Sequence, residues 1–419
     1  MTIHNPAPSV PAQPVLAQPA ALPEAVPYRI ASDAEAITVA EAFAETLRAG
    51  ASKRDAERQL PFDELDAFVA TGLWGISVPK AYGGAGVSAG TLARVTAIIA
   101  AADGSLSQIP QNHYYSLEVL RVGGSEAQKR FFYDRVLAGE RTGNALAEIG
   151  HKDFKRRTRL YREGSGWRVD GTKYYCTGAI YAHWIPTLVS VEEASGARTY
   201  IVFIPRSAPG VSIIDDWDGF GQRVTGSGTV RFDAVSIEPE WIVPFQSSFE
   251  RATTIGPVAQ IIHAAIDLGI GEGAYRDMLA FVRSRARPWI DAKVETAAED
   301  PLTLSEIGKV RVRLRAADAL LRKAGERVDA AMANPTEDTV AAASIAVAEA
   351  KILSTKAGLL AANKLFELSG TSATMVEDNY DRHWRNVRTH TLHDPVRWKY
   401  QAVGQYHLNG RRPPRHGAI

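Results

Sequence analysis

The spacing of apolar residues changes twice along the chain, and this change constrains the fold more than any other feature. From residue 32 to about 140, apolar residues recur every three or four positions, as on the buried face of a helix. Between residues 143 and 245 the runs are short and alternating, and Gly, Pro, Asp and Ser separate them. Helical spacing then returns almost to the end. The pattern predicts an α+β protein with a helical domain, a middle β-barrel or sandwich, and a helical bundle.

Two segments in the last third carry the clearest helical pattern. One has apolar residues at three- and four-residue spacing from Ile307 to Val328, with arginines on the opposite face. In the next, large residues seven positions apart alternate with small ones between Ile345 and Phe366. Because such a seam lets helices approach closely, the C-terminal part is predicted to be a four-helix bundle.

Local signals place the first helices and the domain limits. Ser32 is a candidate N-cap for a helix that runs to about Arg58, and Pro61 opens a second helix. Residues 1–27 contain seven prolines and are predicted to form a disordered, extended arm. The other predicted segments are residues 28–142 (N-terminal helical domain), 143–246 (β domain), 247–410 (helical bundle) and 411–419 (tail).

Composition narrows the functional classes. The 48 basic and 47 acidic residues give a formal charge of +1, so no overall field favours nucleic acid or a membrane surface. The single cysteine, Cys176, excludes an internal disulfide and a multi-cysteine zinc site. The sequence shows no run of about eighteen uncharged apolar residues and no signal-peptide core, so we expect a soluble cytoplasmic protein.

Residues 381–395, DRHWRNVRTHTLHDP, have the composition of a site. Pro395 disfavours helical geometry at the residue before it and is expected to end any helix there. His390 and His393 are one helical turn apart and Asp394 follows, so all three reach one small volume. The segment predicts a polar cluster at a helix end.

Two other interpretations of this segment stay open. An arginine-rich helix end exposed to solvent would have a similar composition. Two histidines and a carboxylate, His390, His393 and Asp394, would also suit a metal ion. No surrounding pattern supports a metal, and the prediction is that none is bound.

Four runs resemble those of one known family. They are GLWGISVPKAYGGAGVS at residues 72–88, IPQNHYYSLEVLR at 109–121, GTKYYCTGA at 171–179 and RTHTLHDP at 388–395. Together with the α–β–α order, they resemble the acyl-CoA dehydrogenase superfamily over residues 28–409. The flavin-dependent monooxygenase branch is the more similar.

The resemblance implies a function and its partners. It implies oxygenation of a small organosulfur compound by reduced flavin, which a separate reductase supplies. FMN is the expected flavin, with FAD as the alternative. The resemblance also implies a homotetramer whose sites combine neighbouring subunits.

Departures from the dehydrogenase pattern favour the oxygenase. Acyl-CoA dehydrogenases place a catalytic glutamate before a glycine near the end of the chain, where this sequence has His393, Asp394 and Pro395. Aspartate is one methylene shorter and precedes a rigid residue, so its carboxylate falls short of a substrate carbon. The family's Thr-Glu-Pro run is replaced by residues 147–151, AEIGH. Dehydrogenation of an acyl thioester remains the alternative function.

The resemblance assigns five residues to the reaction. An oxygenase needs a dry pocket, a few hydrogen-bond donors and a group that protonates the leaving oxygen, which suits histidine. The implied pocket residues are His113, Asn144, Thr177 and His393, while Asp394 orients His393 or caps the turn. Asn144 and Thr177 are also implied to contact the flavin. Three of these residues have a structural alternative: His113 could be a core histidine, Asn144 a turn residue and Thr177 a strand hydroxyl.

The resemblance also places the flavin phosphate. Arg285 matches a family arginine that reaches the phosphate across a subunit boundary, and Arg283 and Arg287 compete for this role. Backbone amides and hydroxyls in a turn after a long helix are expected to assist it; these residues are Ser369, Gly370 and Thr371. Residues 269–273, GIGEG, lie within a helical pattern rather than after a strand, so their glycines indicate tight helix packing and not a Rossmann turn.

Overall fold

The structure, a computed structural model, describes residues 26–150 and 155–419. Residues 1–25 of the predicted arm and His151 lie outside this part. The predicted first helix is confirmed, because Ser32 Oγ accepts a hydrogen bond from Glu35 N, and Arg58 ends the helix in a left-handed conformation with φ of 52°. The N-terminal helices are α1 (Asp33–Glu57), α2 (Phe62–Ala70), α3 (Ala89–Ala102), α4 (Gln111–Gly123) and α5 (Glu126–Leu137).

The predicted β domain is confirmed, and its strands form one mixed sheet. Within the described residues, seven strands lie in the order β5-β6-β2-β1-β3-β4-β7, with β1 and β3 parallel and the other pairs antiparallel. In β6 buried and exposed residues largely alternate, whereas the first six residues of β3 are all buried. The strands are β1 (Arg159–Glu163), β2 (Gly166–Lys173), β3 (Trp184–Glu193), β4 (Gly196–Pro205), β5 (Val211–Ile214), β6 (Thr229–Ile237) and β7 (Ile242–Pro244).

The C-terminal part is helical and is built around one apolar helix, α6. The helices are α6 (Ile255–Ser284), α7 (Pro301–Ala333), α8 (Glu337–Ser369), α9 (Asp381–His390) and α10 (Val396–Asn409). α6 packs against α3, α7, α8 and α9. A Cβ atom at Gly269 would lie 2.3 Å from the carbonyl oxygen of Ala97, and one at Gly271 would lie 2.8 Å from Gly358 Cα. These glycines therefore serve close helix packing, as predicted.

The polar run closes on a turn before Pro395, as predicted, although the helix itself ends five residues earlier. α9 ends at His390, and Pro395 is the N-cap residue of α10. A tight turn between them, in which His393 N donates to His390 O at 3.1 Å, closes the helix before the proline. None of the helices in the described ranges is long and apolar enough to cross a membrane.

The loop between β5 and β6, residues 215–228, fixes the three parts of the chain to one another. Arg58, which follows α1, binds the Asp215 carboxylate at 2.6 Å. Gln222 N donates to Asn386 Oδ1 on α9 at 2.7 Å. The loop therefore connects the sheet to both helical regions, and it runs beside the residues of the candidate site.

Candidate active site

The turn between α9 and α10 brings its polar residues against the middle of α6. There His263 joins His390, with 3.1 Å between His263 Nδ1 and His390 Nε2. The rings of His263 and His393 are also in contact, with centroids 4.0 Å apart and planes tilted by 36°. We call His263, Asp267, His390, His393 and Asp394 the histidine cluster.

The inner half of the histidine cluster is a buried ion pair with a histidine attached. Lys351 Nζ donates to Asp267 Oδ2 at 2.8 Å, and Thr355 Oγ1 donates to the same oxygen at 2.6 Å. The other carboxylate oxygen lies 2.5 Å from His390 Nδ1. Burial favours a higher pKa for Asp267, but Lys351 and His390 outweigh it and lower this pKa to about 2. Asp267 is therefore an anion, and its neighbour His390 donates the Nδ1 proton.

The outer half of the cluster holds its carboxylate through two side-chain contacts. Asp394 Oδ2 lies 3.1 Å from His393 Nδ1 and accepts a hydrogen bond from Gln260 Nε2 at 2.9 Å. Lys399 Nζ donates to Gln260 Oε1 at 2.8 Å. Burial would raise the pKa of Asp394, but His393, Lys399 and Gln260 hold it well below its usual range. Asp394 is buried, whereas 46% of the His393 side chain is exposed.

The candidate metal ligands differ from those expected. One ligand atom each of His263, His393 and Asp394 lies within 4.8 Å of the others, whereas His390 faces Asp267 instead. Asp394 Oδ2 already accepts the two hydrogen bonds described, and a buried lysine lies beside it. A divalent ion would have to displace these contacts, so the geometry favours a hydrogen-bonded cluster.

His263 and Asp267 were not predicted as site residues because most of α6 is apolar and buried. Twenty-three of its residues are buried, and isolated polar residues in such a helix have the pattern of satisfied core groups. One signal was available: Gln260, His263 and Asp267 are three and four residues apart and therefore share one face. That face is the one that meets the turn after α9.

Asn144 and Thr177 lie together at a second place, on either side of Tyr175. Asn144 Nδ2 donates to Tyr175 O at 3.3 Å, and Thr177 N donates to the same oxygen at 2.8 Å. The Thr177 hydroxyl lies 2.7 Å from Ser227 Oγ in the loop between β5 and β6. Tyr175 is 53% exposed, has a positive φ of 54° and contacts the edge of Trp217. An exposed aromatic surface with two flanking polar side chains suits a planar ligand.

His113 lies away from these exposed groups, in the core. Its ring is fully buried, with Nε2 2.9 Å from Trp74 O and Nδ1 3.0 Å from Thr142 Oγ1. Burial lowers the pKa of His113 to about 3, so the ring is neutral. Its assignment to the flavin pocket stays a prediction.

The predicted phosphate-binding residues lie at the C-terminal ends of α6 and α8. Arg285, 41% exposed, ends α6 and binds Asp378 at 2.7 Å. Asp378 belongs to the loop that begins at Gly370. Gly370 has a φ of 72°, and a Cβ atom added at this position would have no described atom within 4 Å. Ser369 Oγ is buried and has no hydrogen-bond partner within the described residues. A guanidinium, an unsatisfied hydroxyl and an open glycine turn form a donor set that fits the phosphate of a flavin.

Comparison with known proteins identifies the family. Models of the N-terminal, middle and C-terminal domains of acyl-CoA dehydrogenase match residues 33–140, 150–235 and 261–398. Dibenzothiophene monooxygenase from Rhodococcus erythropolis is 35% identical over 401 residues, which are 92% of this chain and 96% of that protein. The chain belongs to the monooxygenase branch of the acyl-CoA dehydrogenase superfamily. The predicted fold and family are thereby confirmed.

Two further members of this branch are similar over nearly their whole length. A probable FMNH2-dependent monooxygenase, SfnC of Pseudomonas putida, is 30% identical and covers 90% of this chain and 96% of its own. The crystal structure of FMN-bound TdsC from Paenibacillus sp. A11-2 is 30% identical, with a TM-score of 0.87, covering 92% of this chain and all of its own.

Proposed function

We propose that this protein is a two-component flavin-dependent monooxygenase that oxygenates a small organosulfur compound and serves sulfur acquisition. Dibenzothiophene monooxygenase and the FMNH2-dependent relative support the reaction class, and FMN-bound TdsC supports FMN rather than FAD. A separate reductase supplies the reduced flavin, because no nicotinamide-binding turn is visible in the sequence.

The state of Asp394 is the observation that carries this proposal. Dehydrogenation of an acyl thioester needs a carboxylate free to take a proton from carbon. Asp394 Oδ2 is held by His393 and Gln260, and its pKa lies well below the usual range, so it is a poor base. His393 differs, because 46% of its side chain is exposed and Asp394 orients it. Since the exposed part of the ring can meet a ligand, His393 can protonate the leaving oxygen of an oxygenase once flavin and substrate exclude water from the pocket.

The remaining site residues bind and orient. Reduced FMN, when bound, supplies the two electrons with which one oxygen atom of dioxygen enters the substrate and the other leaves as water. Arg285 and the turn from Ser369 to Thr371 would hold its phosphate, and Asn144 and Thr177 would contact its ring. His113 has both ring nitrogens bonded, so we assign it to holding the pocket wall at Thr142.

We also propose that the working protein is a homotetramer. The family arginine that matches Arg285 reaches the phosphate across a subunit boundary, and Arg285 is partly exposed at the end of α6. A tetramer would bring this guanidinium to the flavin of a neighbouring copy.

Single turnover under 18O2 tests the reaction. Chemically reduced FMN is mixed with the protein and dibenzothiophene, and in a second series with methyl phenyl sulfide, before oxygen is admitted. We expect a sulfoxide that carries one 18O atom, and no product from oxidised FMN or from NADH and FMN without a reductase. Absence of oxygenated product from both sulfides, together with oxidation of butyryl-CoA by the FMN- or FAD-loaded protein, would establish the dehydrogenase instead.

A further inference from the structure

The histidine cluster contains a chain of hydrogen bonds that the proposed reaction leaves unexplained. It runs from Asp267 Oδ1 to His390 Nδ1 over 2.5 Å, and from His390 Nε2 to His263 Nδ1 over 3.1 Å. The His263 ring then packs against the His393 ring. Asp267, His390 and His263 are all buried, so solvent does not compete for these contacts. A chain of this kind links a buried anion to the exposed ring of His393.

The positions of the protons along this chain follow from its first member. Asp267 is ionised and can only accept, so His390 must donate from Nδ1. Burial lowers the pKa of His390 to about 4, which leaves Nε2 as a lone pair that accepts from His263 Nδ1. His263 and His390 are therefore both neutral and both protonated at Nδ1. Both hydrogen bonds therefore point toward the Asp267 carboxylate.

Positive charges on neighbouring elements oppose a second proton on His263. They are Lys351 on α8 and Lys399 on α10, and also His393 in the turn after α9 and His390 on α9 whenever either ring is protonated. Burial acts in the same sense and is the largest cause of the lowered pKa of His263. Asp267 and Asp394 are the two carboxylates of the histidine cluster, and each is already paired.

We propose that Asp267, His390 and His263 form a relay that fixes the His263 ring with its Nδ1 proton directed to His390, while burial and neighbouring cations keep this ring neutral beneath His393 and leave the proton exchange of the proposed reaction to His393. His263 is thus a positioning residue: it touches His393 and acts through it. The relay itself rests on the contacts of the cluster. Its effect on turnover rests on the proposed function, in which His393 protonates the leaving oxygen.

Two substitutions at His263 separate the relay from simple packing. Phenylalanine in His263→Phe keeps a ring against His393 but cannot donate to His390. Glutamine in His263→Gln loses the ring and restores an N–H donor at similar reach. Asp267→Asn is unsuitable, because it would leave Lys351 buried without its anion and would endanger folding.

Histidine nitrogen NMR tests the relay without turnover. The full chain is labelled with 15N-histidine, kept flavin-free and recorded from pH 5 to 8, with signals assigned from His263→Gln, His390→Asn and His393→Asn. We expect His263 and His390 to stay neutral and protonated at Nδ1 throughout. Protonation of either buried ring at Nε2 within this range would overturn the proposal.

The pH profile of turnover tests the effect on His393. With reduced FMN and methyl phenyl sulfide, His263→Phe should lose about tenfold or more in kcat at pH 7 and displace the pH profile. His263→Gln should keep the wild-type profile. An unchanged profile in His263→Phe would refute the positioning role even if the NMR result holds. A wild-type protein without sulfide turnover would refute the proposed function and leave the NMR result to decide the relay.

Discussion

The Nε2 atom of His113 lies 2.9 Å from the carbonyl oxygen of Trp74, so this ring nitrogen must carry a proton and donate it. The other nitrogen, Nδ1, lies 3.2 Å from Thr142 N, whose N–H can only donate. Both contacts require the neutral ring. His113 therefore couples stability to pH.

We expect the free energy of unfolding to fall as the pH falls from 6.5. As the pH falls below 6.5, His113 of the unfolded chain binds a proton, whereas folded His113, with its pKa of about 3, does not. The unfolded state is therefore stabilised relative to the folded state by about 1.4 kcal/mol per pH unit. His113→Gln can keep both hydrogen bonds and does not titrate. Urea unfolding should therefore show wild type losing about 2 kcal/mol more than this variant between pH 6.5 and 5. Equal losses would contradict a neutral His113.

Ser369→Ala should weaken FMN binding without reducing stability. The Ser369 hydroxyl is buried without a partner in the described part of the chain, so its removal relieves an unsatisfied group. A lost hydrogen bond to a phosphate costs about 1.5–3 kcal/mol, or roughly 10- to 150-fold in Kd. Fluorescence titration with FMN and thermal unfolding measure the two effects.

Ser354→Ala is the matched control for this change. Ser354 Oγ is also buried without a described partner, on the same helix about 22 Å away along the axis. Its replacement should leave the Kd for FMN unchanged. Equal effects of the two variants, or none from Ser369→Ala, would remove Ser369 from the phosphate site.

Arg285→Ala should lower FMN affinity while the fold stays intact. Arg285 is partly exposed and forms an ion pair with Asp378, so a charge-assisted contact with phosphate would contribute affinity more than stability. We expect a loss of about 1.5–3 kcal/mol in binding. Arg283→Ala, an exposed neighbour, is the control and should bind normally. An unchanged Kd in Arg285→Ala would transfer the role to Arg283 or Arg287.

Most of the fold could be predicted from the sequence, because its signals are local. The cap at Ser32 and the start of the second helix at Pro61 follow from residues within a few positions of each other, and both are confirmed. The partners of the α9 turn could not be predicted in this way. Asp267 is 123 positions from His390, and only the packing of α6 against α9 brings them together.

The candidate site could likewise be predicted only where its residues are close together in the sequence. His393 and Asp394 were found because they are adjacent and polar, and they do interact. His390 was predicted to share their volume, but the turn after α9 directs it toward Asp267 instead. Residue type and spacing indicated which side chains are polar, but not which of two buried surfaces each one faces.

Replacing His393 and Asp394 in turn tests the central claim, because the two flavin mechanisms rank these residues in opposite order. Each variant, His393→Ala and Asp394→Asn, is assayed with reduced FMN plus methyl phenyl sulfide and with oxidised flavin plus butyryl-CoA. We predict that His393→Ala loses about 10²–10⁴-fold in sulfoxidation with FMN binding little changed, and that Asp394→Asn loses less. Full sulfoxidation by His393→Ala, or butyryl-CoA oxidation that depends on Asp394, would contradict the account.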